Sequence, residues 1–447
     1  MIEPLTNALL TSRLVRIVGE DAVSSAPEAV AACAVDGVAP RAVVTPTDEE
    51  QVSEVLRFAN AERLTVVPRG NGTKMHIGNP PTRVDIVLGT TRLHRIVEHD
   101  ADNLTVTAEA GVTLPALQTA LAARGQRLPL DPPRAEHATL GGIAATHAFG
   151  PRRLLYRAPR DLIVGLHAVL PNGERVKAGG KVVKNVSGYD LCKTFIASFG
   201  TLGVITQTTW RLYPLVAEER TLRASFEDVE QAAAVAAQVM DSVLVPVALI
   251  ITNMPLSPVM AVRPSPVFLA LFDGVPEAIE RQVRQTAQWC EAAGASEVQT
   301  LRGAAQAQCW QVVRDFPCRF TYDPDRSLLC RAAVPLTRVA DLMHAAEEIA
   351  PTHHLAAHVC AHAGVGVVYV HFVRPPNGTE SHIVAAATAL REAAEGWDGY
   401  LVVEYAPAAL KKQIAVWGAP RGDHFLMRRL KTAFDPHDIM SPSRFVV

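Results

Sequence analysis

The sequence predicts an α+β protein with two domains. Its 447 residues are enough for two domains, at about 100–200 residues per domain, each with its own core. The first half alternates short β-branched runs with amphipathic segments and is punctuated by glycines. Near residues 213–220 this pattern gives way to long helical stretches with strands between them, so we expect a domain boundary there.

The first elements predict a strand–helix–strand unit that ends in a glycine-rich loop. Residues 41–45 (RAVVT) predict a short strand, and Thr47 and Glu50 have the spacing of a capping box that opens a helix. The next strand, residues 65–67, runs directly into the loop 68–74. Open α/β sheets bind ligands at the carboxyl ends of their strands, so we expect a binding site at this loop.

Periodicity and turn residues predict the later elements. Alternation over residues 104–108 predicts a half-buried strand, and apolar spacing over 114–121 predicts a helix. Pro171-Asn172-Gly173, between two apolar runs, predicts a hairpin. In the second half we expect helices over 227–240 and 277–293 and strands over 267–272 and 365–372.

Composition and charge exclude several classes of protein. The formal net charge of −2 leaves no basic surplus to neutralise nucleic acid, and 49% hydrophobic residues argue against disorder. The longest apolar stretch, residues 243–251, is too short to span a bilayer, and residues 1–4 lack the features of a signal peptide. The seven cysteines form no C-x-x-C pair. We therefore expect reduced thiols, a cytoplasmic protein and no self-contained iron–sulfur cluster.

The loop Pro68-Arg69-Gly70-Asn71-Gly72-Thr73-Lys74 has the residues of a diphosphate site. Its glycines allow close backbone approach and expose N–H groups, while the threonine and lysine add a hydroxyl donor and a charge. The loop matches neither the P-loop nor the dinucleotide G-x-G-x-x-G pattern. An unliganded surface turn is the alternative.

Two further stretches suit contact with a flat ring or a phosphate. Residues 128–133 (LPLDPP) lead to residues 139–147 (TLGGIAATH), where small residues at a helix start leave N–H donors bare. Close packing of a helix on a sheet is the alternative for this stretch. In residues 181–190 and 199–206, glycine pairs flank an apolar strand, which suits backbone contact with a heterocycle.

In this order and spacing, the three stretches resemble the flavin-binding half of the FAD-linked oxidase family named after vanillyl-alcohol oxidase and p-cresol methylhydroxylase. Within that family the resemblance is strongest to the smaller FAD-binding subunit of glycolate oxidase (glycolate dehydrogenase). Residues 430–436 (LKTAFDP) with Pro442 are similar to the family's C-terminal K-x-x-F-D-P…N-P-G signature. The resemblance is strong over residues 40–215, clear over 425–447 and thin between them.

The resemblance implies a two-subdomain FAD-binding fold plus an α+β cap domain. The FAD-binding domain would span residues 1–215, with 425–447 returning to it, and the cap residues 216–424. The pyrophosphate would lie over residues 69–73 and the isoalloxazine near Pro132. The implied FAD-binding residues are Pro68, Arg69, Gly70, Asn71, Gly72, Thr73, Lys74, Pro132, Thr139, Gly141, Gly142, Ala145, Thr146, Val204 and Ile205. Some relatives attach the flavin covalently through a histidine at the position of Thr73, so we expect non-covalent FAD here.

The cap carries a histidine-rich segment. His354, His358 and His362 are spaced by four residues, and in a strand Cys360 shares their face. Such a set has the character of metal ligands. A core strand with packed or solvated histidines is the alternative.

Comparison with catalytic relatives bears on the same segment. Relatives that oxidise D-2-hydroxy acids carry G-H-x-G-D-G-N-x-H and later E-H-G, whereas this sequence has AHAGVGVVY over 361–369 and EYA over 404–406. The resemblance therefore implies His362 and Glu404 as the remaining catalytic residues. Two ligands are too few for a tight metal site, so we expect a degenerate substrate domain without a bound metal.

These observations favour an FAD-binding subunit of a glycolate or D-2-hydroxy-acid dehydrogenase complex. Its expected partners are a catalytic FAD subunit and an iron–sulfur subunit, with a small hydroxy acid as substrate. Nucleic acid is not expected, and any membrane association would be peripheral, through partners. The alternatives are a flavin-binding assembly subunit without catalysis and a self-sufficient FAD dehydrogenase of another hydroxy acid. A nucleotide-phosphate enzyme without flavin is a more distant alternative.

Overall fold

The computed structural model describes residues 5–180, 190–254 and 265–445, and its strands form three principal sheets. The elements of the first sheet region are α1 (Asn7–Val18), β1 (Val23–Ser24), α2 (Pro27–Ala32), β2 (Ala42–Val44), α3 (Glu49–Ala61), β3 (Val66–Arg69) and β4 (Ile86–Gly89). The strand order is β1-β2-β4-β3, with β2, β4 and β3 parallel. Helices α1 and α3 bury their apolar faces against this sheet. The carboxyl ends of β3 and β4 therefore lie at one edge.

A five-stranded antiparallel sheet forms the second unit. The elements of this region are β5 (Ile96–Asp100), β6 (Thr105–Glu109), α4 (Leu114–Ala122), β7 (Gln126–Arg127), α5 (Leu140–Thr146), α6 (Arg153–Tyr156), α7 (Pro159–Leu162), β8 (Ile163–Val169), β9 (Arg175–Gly179), α8 (Cys192–Phe195), β10 (Val204–Arg211) and β11 (Tyr213–Pro214). The order is β5-β6-β10-β8-β9, and β7 and β11 pair separately. Helix α5 packs on β6 and β10 through a core of leucines, valines and alanines. This packing fixes the start of α5 beside the sheet.

An eight-stranded antiparallel sheet forms the third unit. The elements of this region are β12 (Glu218–Ser225), α9 (Val229–Met240), β13 (Ala248–Thr252), β14 (Val267–Gly274), α10 (Pro276–Ala292), β15 (Glu297–Leu301), α11 (Gly303–Arg314), β16 (Ser327–Ala333), α12 (Val339–Thr352), β17 (Ala356–His362), β18 (Val367–Val373), α13 (Glu380–Gly396), β19 (Tyr400–Tyr405), α14 (Ala408–Lys411) and α15 (His424–Phe434). The order is β15-β12-β14-β13-β17-β18-β16-β19. Helices α9, α10, α12 and α13 cover one face with the largest core, and the other face packs against Phe149 and Phe320. The second face therefore points toward the first two units.

The predicted α+β class and the predicted strands and helices are confirmed, with one shift. Helix α3 begins at Glu49 because Asp48, rather than Thr47, is its N-cap: its Oδ1 accepts from the N–H of Gln51 at 2.9 Å. Aspartate is the stronger N-cap of the two. The predicted hairpin joins β8 and β9, and its Gly173 has φ +83°. Within the described residues, no helix combines the length and apolar character needed to cross a bilayer.

The C-terminal segment is fixed to the first two units by a strand bridge and by a hydrogen bond from a buried lysine. Met440 forms a parallel bridge with Val66 of β3. The Nζ of Lys431, in α15, donates to the carbonyl oxygens of Thr201 at 3.0 Å and Met440 at 2.9 Å and to Asp435 Oδ2 at 2.6 Å. The lysine and aspartate of the C-terminal signature thus have a structural role. The domain limits at 215/216 and 424/425 stay a prediction.

Asp435→Asn should destabilise the protein by about 3–5 kcal/mol, because it removes the only fully buried counter-charge described for the Lys431 ammonium and leaves the exposed Asp438 as its acidic partner. The matched control is Asp438→Asn. Asp438 also contacts Lys431, at 2.9 Å, but its side chain is 63% exposed, so about 0–1 kcal/mol is expected. Urea unfolding of both variants with excess FAD measures the difference. Equal losses in the two variants would contradict the anchoring role.

Candidate active site

A cavity opens between the carboxyl end of β3, the start of α5 and the start of β10. The sequence-predicted residues that line it are Pro68, Arg69, Gly70, Asn71, Gly72, Thr73, Lys74, Thr139, Gly141, Gly142, Ala145, Thr146, Val204 and Ile205. The fold thus brings together three stretches that are far apart in sequence.

Two parts of the predicted site do not contribute to the lining of this cavity. Pro132 is buried but does not line the cavity. The preceding residue, Asp131, lies against Gly150, where an added Cβ would come within 1.9 Å of the Asp131 carbonyl oxygen. This contact holds the segment against the turn at 150. Of the third predicted stretch, residues 181–189 lie outside the described residues.

The loop after β3 presents bare backbone donors to the cavity. The N–H groups of residues 71–73 donate to no described residue. Gly72 has φ +77°, and an added Cβ at Gly70 would lie 2.2 Å from Thr139 Oγ1, so the loop sits directly on the start of α5. Asn71 Nδ2 ties the loop to the segment before α5 by donating to the carbonyl oxygen of His137 at 2.9 Å. Such a loop is suited to bind an anion.

Helix α5 forms the opposite wall with small residues. Thr139 caps the helix by accepting from the N–H of Gly142. Gly141 packs so closely on β6 that an added Cβ would lie 2.6 Å from Ala110 Cβ. Both interpretations of this stretch, close packing of the helix on the sheet and an open wall for a ligand, therefore fit the structure. Ala145 and Thr146 continue the wall one turn further.

Positive charge also reaches this cavity. Lys74 is half-buried, and its ammonium has no acidic partner among the described residues. Arg444 comes from the C-terminal tail and is held by Asp36 and by the carbonyl oxygen of Met75, to which it donates at 2.7 Å. This cavity fits a cofactor with a diphosphate and a flat ring system, because it offers free N–H donors, cationic side chains and a slot lined by glycine and valine.

A second cavity, of about 960 Å³, adjoins the first and shares Lys74, Ile77, Thr146 and Phe199 with it. Its other lining residues are His147, Ala148, Phe149, Arg153, Ala197, Arg331, Tyr369, Tyr400, Glu404, Trp417 and Phe445. They come from the α5–α6 region, from the segment between α8 and β10, from β16, β18 and β19, from the segment between α14 and α15, and from the C-terminal tail. A molecule in this cavity would lie beside the cofactor cavity.

Two guanidinium groups give the second cavity an excess of positive charge. Arg331 Nε donates to Glu404 Oε1 at 2.6 Å, and its two Nη atoms donate to no described residue. Arg153 lies 4.2 Å from the centre of the Phe149 ring and pairs with no carboxylate in the described part of the chain. Burial lowers the pKa of Arg153 from its ordinary value. An unpaired, partly desolvated guanidinium favours an anionic ligand.

Two histidines lie near this cavity in different positions. His147 is the left-handed C-cap of α5 (φ +49°) and is one of the residues that line the cavity. Burial, and then the nearby Arg153, lowers the pKa of His147 to about 4. The predicted catalytic His362 is buried beside Tyr369, with 5.5 Å between ring centres, and does not line the cavity. Burial lowers the pKa of His362 to about 3. The predicted Glu404 does line it, and its Oε2 is buried without a described partner.

The histidine-rich segment forms part of a packed core strand. His358, Cys360 and His362 lie on β17, and the His358 ring is 6.1 Å from that of His371 on β18. His354 precedes the strand. Within the described residues, no three His, Cys, Asp or Glu side chains come together as a metal site. The alternative of a core strand therefore describes this segment.

Sequence reasoning missed His147, Arg153, Arg331 and Arg444. His147 carried a weak signal, since it directly follows the small-residue run of α5. The arginines carried none, because each reaches the cavities only through the packing of the third sheet or the tail against the first two units.

Fold and site together define a flavoprotein oxidoreductase. Residues 40–179 match the family model of the FAD binding domain, and residues 216–445 match that of the FAD linked oxidases, C-terminal domain. The second match covers more than half of the chain. The chain therefore belongs to the FAD-linked oxidases, and FAD is its cofactor.

Characterised relatives extend over most of the chain. It is 28% identical to the glycolate oxidase subunit GlcD of Bacillus subtilis over 417 residues, 91% of this chain and 88% of that protein. It is 32% identical to a D-lactate dehydrogenase of Archaeoglobus fulgidus over 438 residues, 92% and 93% of the two chains. The glycolate oxidase subunit GlcE of Escherichia coli matches at 35% identity over 176 residues, 39% of this chain and 48% of that protein.

Solved structures share the fold. p-Cresol methylhydroxylase aligns with a TM-score of 0.76 at 15% identity, over 97% of this chain and 95% of that chain. Alkyldihydroxyacetonephosphate synthase aligns with a TM-score of 0.75 at 16% identity, over 99% and 86%. The predicted family, the two-subdomain FAD-binding fold with a cap and the FAD cofactor are confirmed.

Gly70→Ala should weaken FAD binding by about 5–150-fold, because overpacking of this kind costs about 1–3 kcal/mol. The added methyl must displace Thr139, the cap of α5. Gly422→Ala is the control, since an added Cβ there meets no atom within 4 Å. Titration of the apoproteins with FAD, followed by flavin fluorescence, measures both dissociation constants. Unchanged affinity in the Gly70 variant would remove this loop from the cofactor site.

Denaturation of the protein should release all of its flavin. Thr73 lines the cofactor cavity, and its hydroxyl cannot form the histidyl bond that some relatives have. Acid precipitation followed by the absorbance of supernatant and pellet measures the released fraction. Yellow pellet after washing would show a covalent bond elsewhere.

Proposed function

We propose that this chain oxidises a small 2-hydroxy acid in the second cavity, with FAD bound in the first. The observation that carries the proposal is the pair Arg153 and Arg331, whose free N–H donors line a cavity contiguous with the cofactor cavity. A carboxylate is the group that such donors bind best. A hydroxyl group next to that carboxylate would then lie between the arginines and the cofactor.

Different residues of the chain bind the substrate and position the groups that bind it. Arg153 supplies the unbalanced charge, and Glu404 fixes the orientation of Arg331 from β19. Tyr369 and Trp417 form walls that exclude water and so strengthen these charge interactions. The roles predicted for Glu404 and His362 become positioning roles in this proposal: Glu404 holds Arg331, and His362 supports Tyr369 from behind. When bound, FAD supplies the two-electron acceptor.

The FAD itself is proposed to bind through the fourteen predicted residues that line the first cavity. The diphosphate would lie against the N–H groups of residues 71–73 and the ammonium of Lys74. The ring system would lie between Gly142 and Val204-Ile205, near the wall shared with the second cavity. The domain division predicted from the sequence, with residues 425–447 returning to the FAD-binding domain, is part of this proposal.

Names of relatives support the substrate class. They include a glycolate oxidase subunit, D-lactate dehydrogenases and a D-2-hydroxyglutarate dehydrogenase. All of these names specify a carboxylate next to a hydroxyl carbon. Glycolate, D-lactate and D-2-hydroxyglutarate are therefore the first substrates to test.

Electrons are proposed to leave through an iron–sulfur partner, in a complex with a catalytic FAD subunit. The match to GlcE supports membership of a multi-subunit glycolate oxidase. All seven cysteines are free and scattered, so the chain offers no clustered thiolates of its own. A self-sufficient dehydrogenase is the second candidate, favoured by relatives that match over the full length. The cytoplasmic location stays a prediction.

Anaerobic mixing of the purified holoprotein with each hydroxy acid should bleach the flavin absorbance. In Arg153→Met the substrate dissociation constant should rise roughly 10–100-fold, since a hydrogen bond to a charged group contributes about 1.5–3 kcal/mol. Arg124→Met removes an exposed arginine in the loop after α4 and should leave the constant unchanged. A flavin that no hydroxy acid reduces would refute catalysis by this chain and favour the assembly subunit.

The partner proposal has a separate test. The tagged chain, purified from its own host, should carry iron and acid-labile sulfide that the chain produced alone lacks. Full turnover by the isolated chain with the host's quinone, in the absence of any iron, would contradict the complex.

A further inference from the structure

We infer that His147 is the catalytic residue that accepts the hydroxyl proton of the substrate in this chain. The inference rests on the proposed oxidation of a 2-hydroxy acid and names the base for it. It assigns the proton transfer to the FAD-binding region of the chain rather than to the histidine-rich strand of the cap.

His147 lies next to the point at which the two cavities meet. Thr146, the last residue of α5, lines both cavities, and His147 follows it into the second. The N–H of His147 donates to the carbonyl oxygen of Ala144 at 3.2 Å, and that of Ala148 to Ile143 at 3.0 Å. The left-handed backbone of His147 (φ +49°) is uncommon for a residue with a side chain. A group there lies on the substrate side of the cofactor cavity.

The imidazole of His147 is free to accept a proton. Its ring makes no hydrogen bond with a described residue, and its Nδ1 is fully buried without a partner. Nε2 is therefore the atom that can meet a ligand. Because burial and Arg153 lower the pKa of His147 to about 4, the ring is neutral near pH 7 and keeps a lone pair.

Other groups around the cavity are less suited to this role. Glu404 is already engaged, since its Oε1 accepts a hydrogen bond from Arg331 Nε at 2.6 Å. His362 lies behind Tyr369 and outside the lining of the cavity. The Tyr369 hydroxyl is a poor base, because burial and then the nearby Glu404 carboxylate raise its pKa.

The bonds and electrons of the step balance. The O–H bond of the substrate breaks, and its proton passes to Nε2 of His147. The C2–H bond breaks, and its proton and electron pair leave together as a hydride, for which the FAD cofactor is the oxidant. The 2-hydroxy acid becomes a 2-oxo acid, and His147 becomes an imidazolium that later releases its proton.

Substrate binding should strengthen this base. The charged groups that act on His147 are Arg153, Asp161, Arg331 and Arg160; the arginines lower its pKa and the aspartate raises it. A carboxylate bound between Arg153 and Arg331 offsets part of the positive potential. The pKa of His147 should therefore rise on binding, toward the range in which a base works best.

Anaerobic stopped-flow reduction of the holoprotein tests the inference. In His147→Asn the limiting rate of flavin reduction should fall about 100-fold or more, the usual contribution of a general base, while the substrate dissociation constant changes less than threefold. His94→Asn changes an exposed histidine between β4 and β5 that lines neither cavity, so it is the matched control and should keep the parent rate. A His147→Asn rate within threefold of the parent would overturn the inference.

A second variant separates catalysis from packing. Glycine tolerates the left-handed backbone, so His147→Gly should fold and leave a space for added imidazole, which should restore part of the rate. Loss of activity without such rescue would assign His147 a packing role and overturn the inference. If no hydroxy acid reduces the flavin of the parent protein, the proposed function itself fails. If the parent flavin is reduced and the His147 variant reacts equally fast, only the inference about His147 fails.

The protonation of the His147 ring can also be measured directly, in an experiment that does not depend on turnover. In NMR spectra of the oxidised holoprotein with 13C-labelled histidine, the signal of the His147 ring is the one that is absent from the spectrum of His147→Asn. It should titrate near pH 4 and move to higher pH in saturating acetate, which binds as a carboxylate and has no hydroxyl to oxidise. A titration unaffected by acetate would contradict the coupling between the arginines and His147.

Discussion

The buried ammonium of Lys431 is the contact on which the arrangement of the site depends. A charge in this position requires its full set of acceptors, and it finds them in Asp435 of the same segment, in Met440 of the tail and in Thr201 before β10. One group thereby joins α15, the tail and the second sheet. The tail in turn carries Arg444 to the cofactor cavity.

A second buried charge cluster continues this connection. The side chain of Lys411, fully buried at the end of the cap, pairs with Asp36 at 2.7 Å and donates to the carbonyl oxygen of His76. Asp36 also pairs with Arg444. Cap, tail and the loop that follows the glycine turn are thus held by shared acceptors, and removal of the Asp36 carboxylate would leave both Lys411 and Arg444 without an acidic partner. The junction of the three sheets is therefore rigid where the two cavities meet.

The two cavities differ in the way they bind an anion. The first uses backbone N–H groups on a loop that glycines bring close to α5, whereas the second uses the side chains of Arg153 and Arg331. Backbone donors suit a large cofactor that stays bound. Side chains on separate elements can be changed singly, so the substrate cavity can differ among relatives that share the cofactor cavity. The presence of Tyr369 and Tyr405 at the two positions where the family resemblance implies histidines is an example.

The sequence by itself determined the elements of the fold and most of the cofactor cavity. The loop 68–74 and the start of α5 could be predicted because glycine spacing and helix caps are local properties. Pro132 lies outside the wall of the first cavity, in a segment whose position depends on the contact of Asp131 with Gly150, and its role at the cofactor stays a prediction. Only the tertiary structure decided the second cavity, which is the proposed substrate site. Arg153 and Arg331 are 178 positions apart and meet through the packing of the third sheet on the α5–α6 region, which no local pattern records.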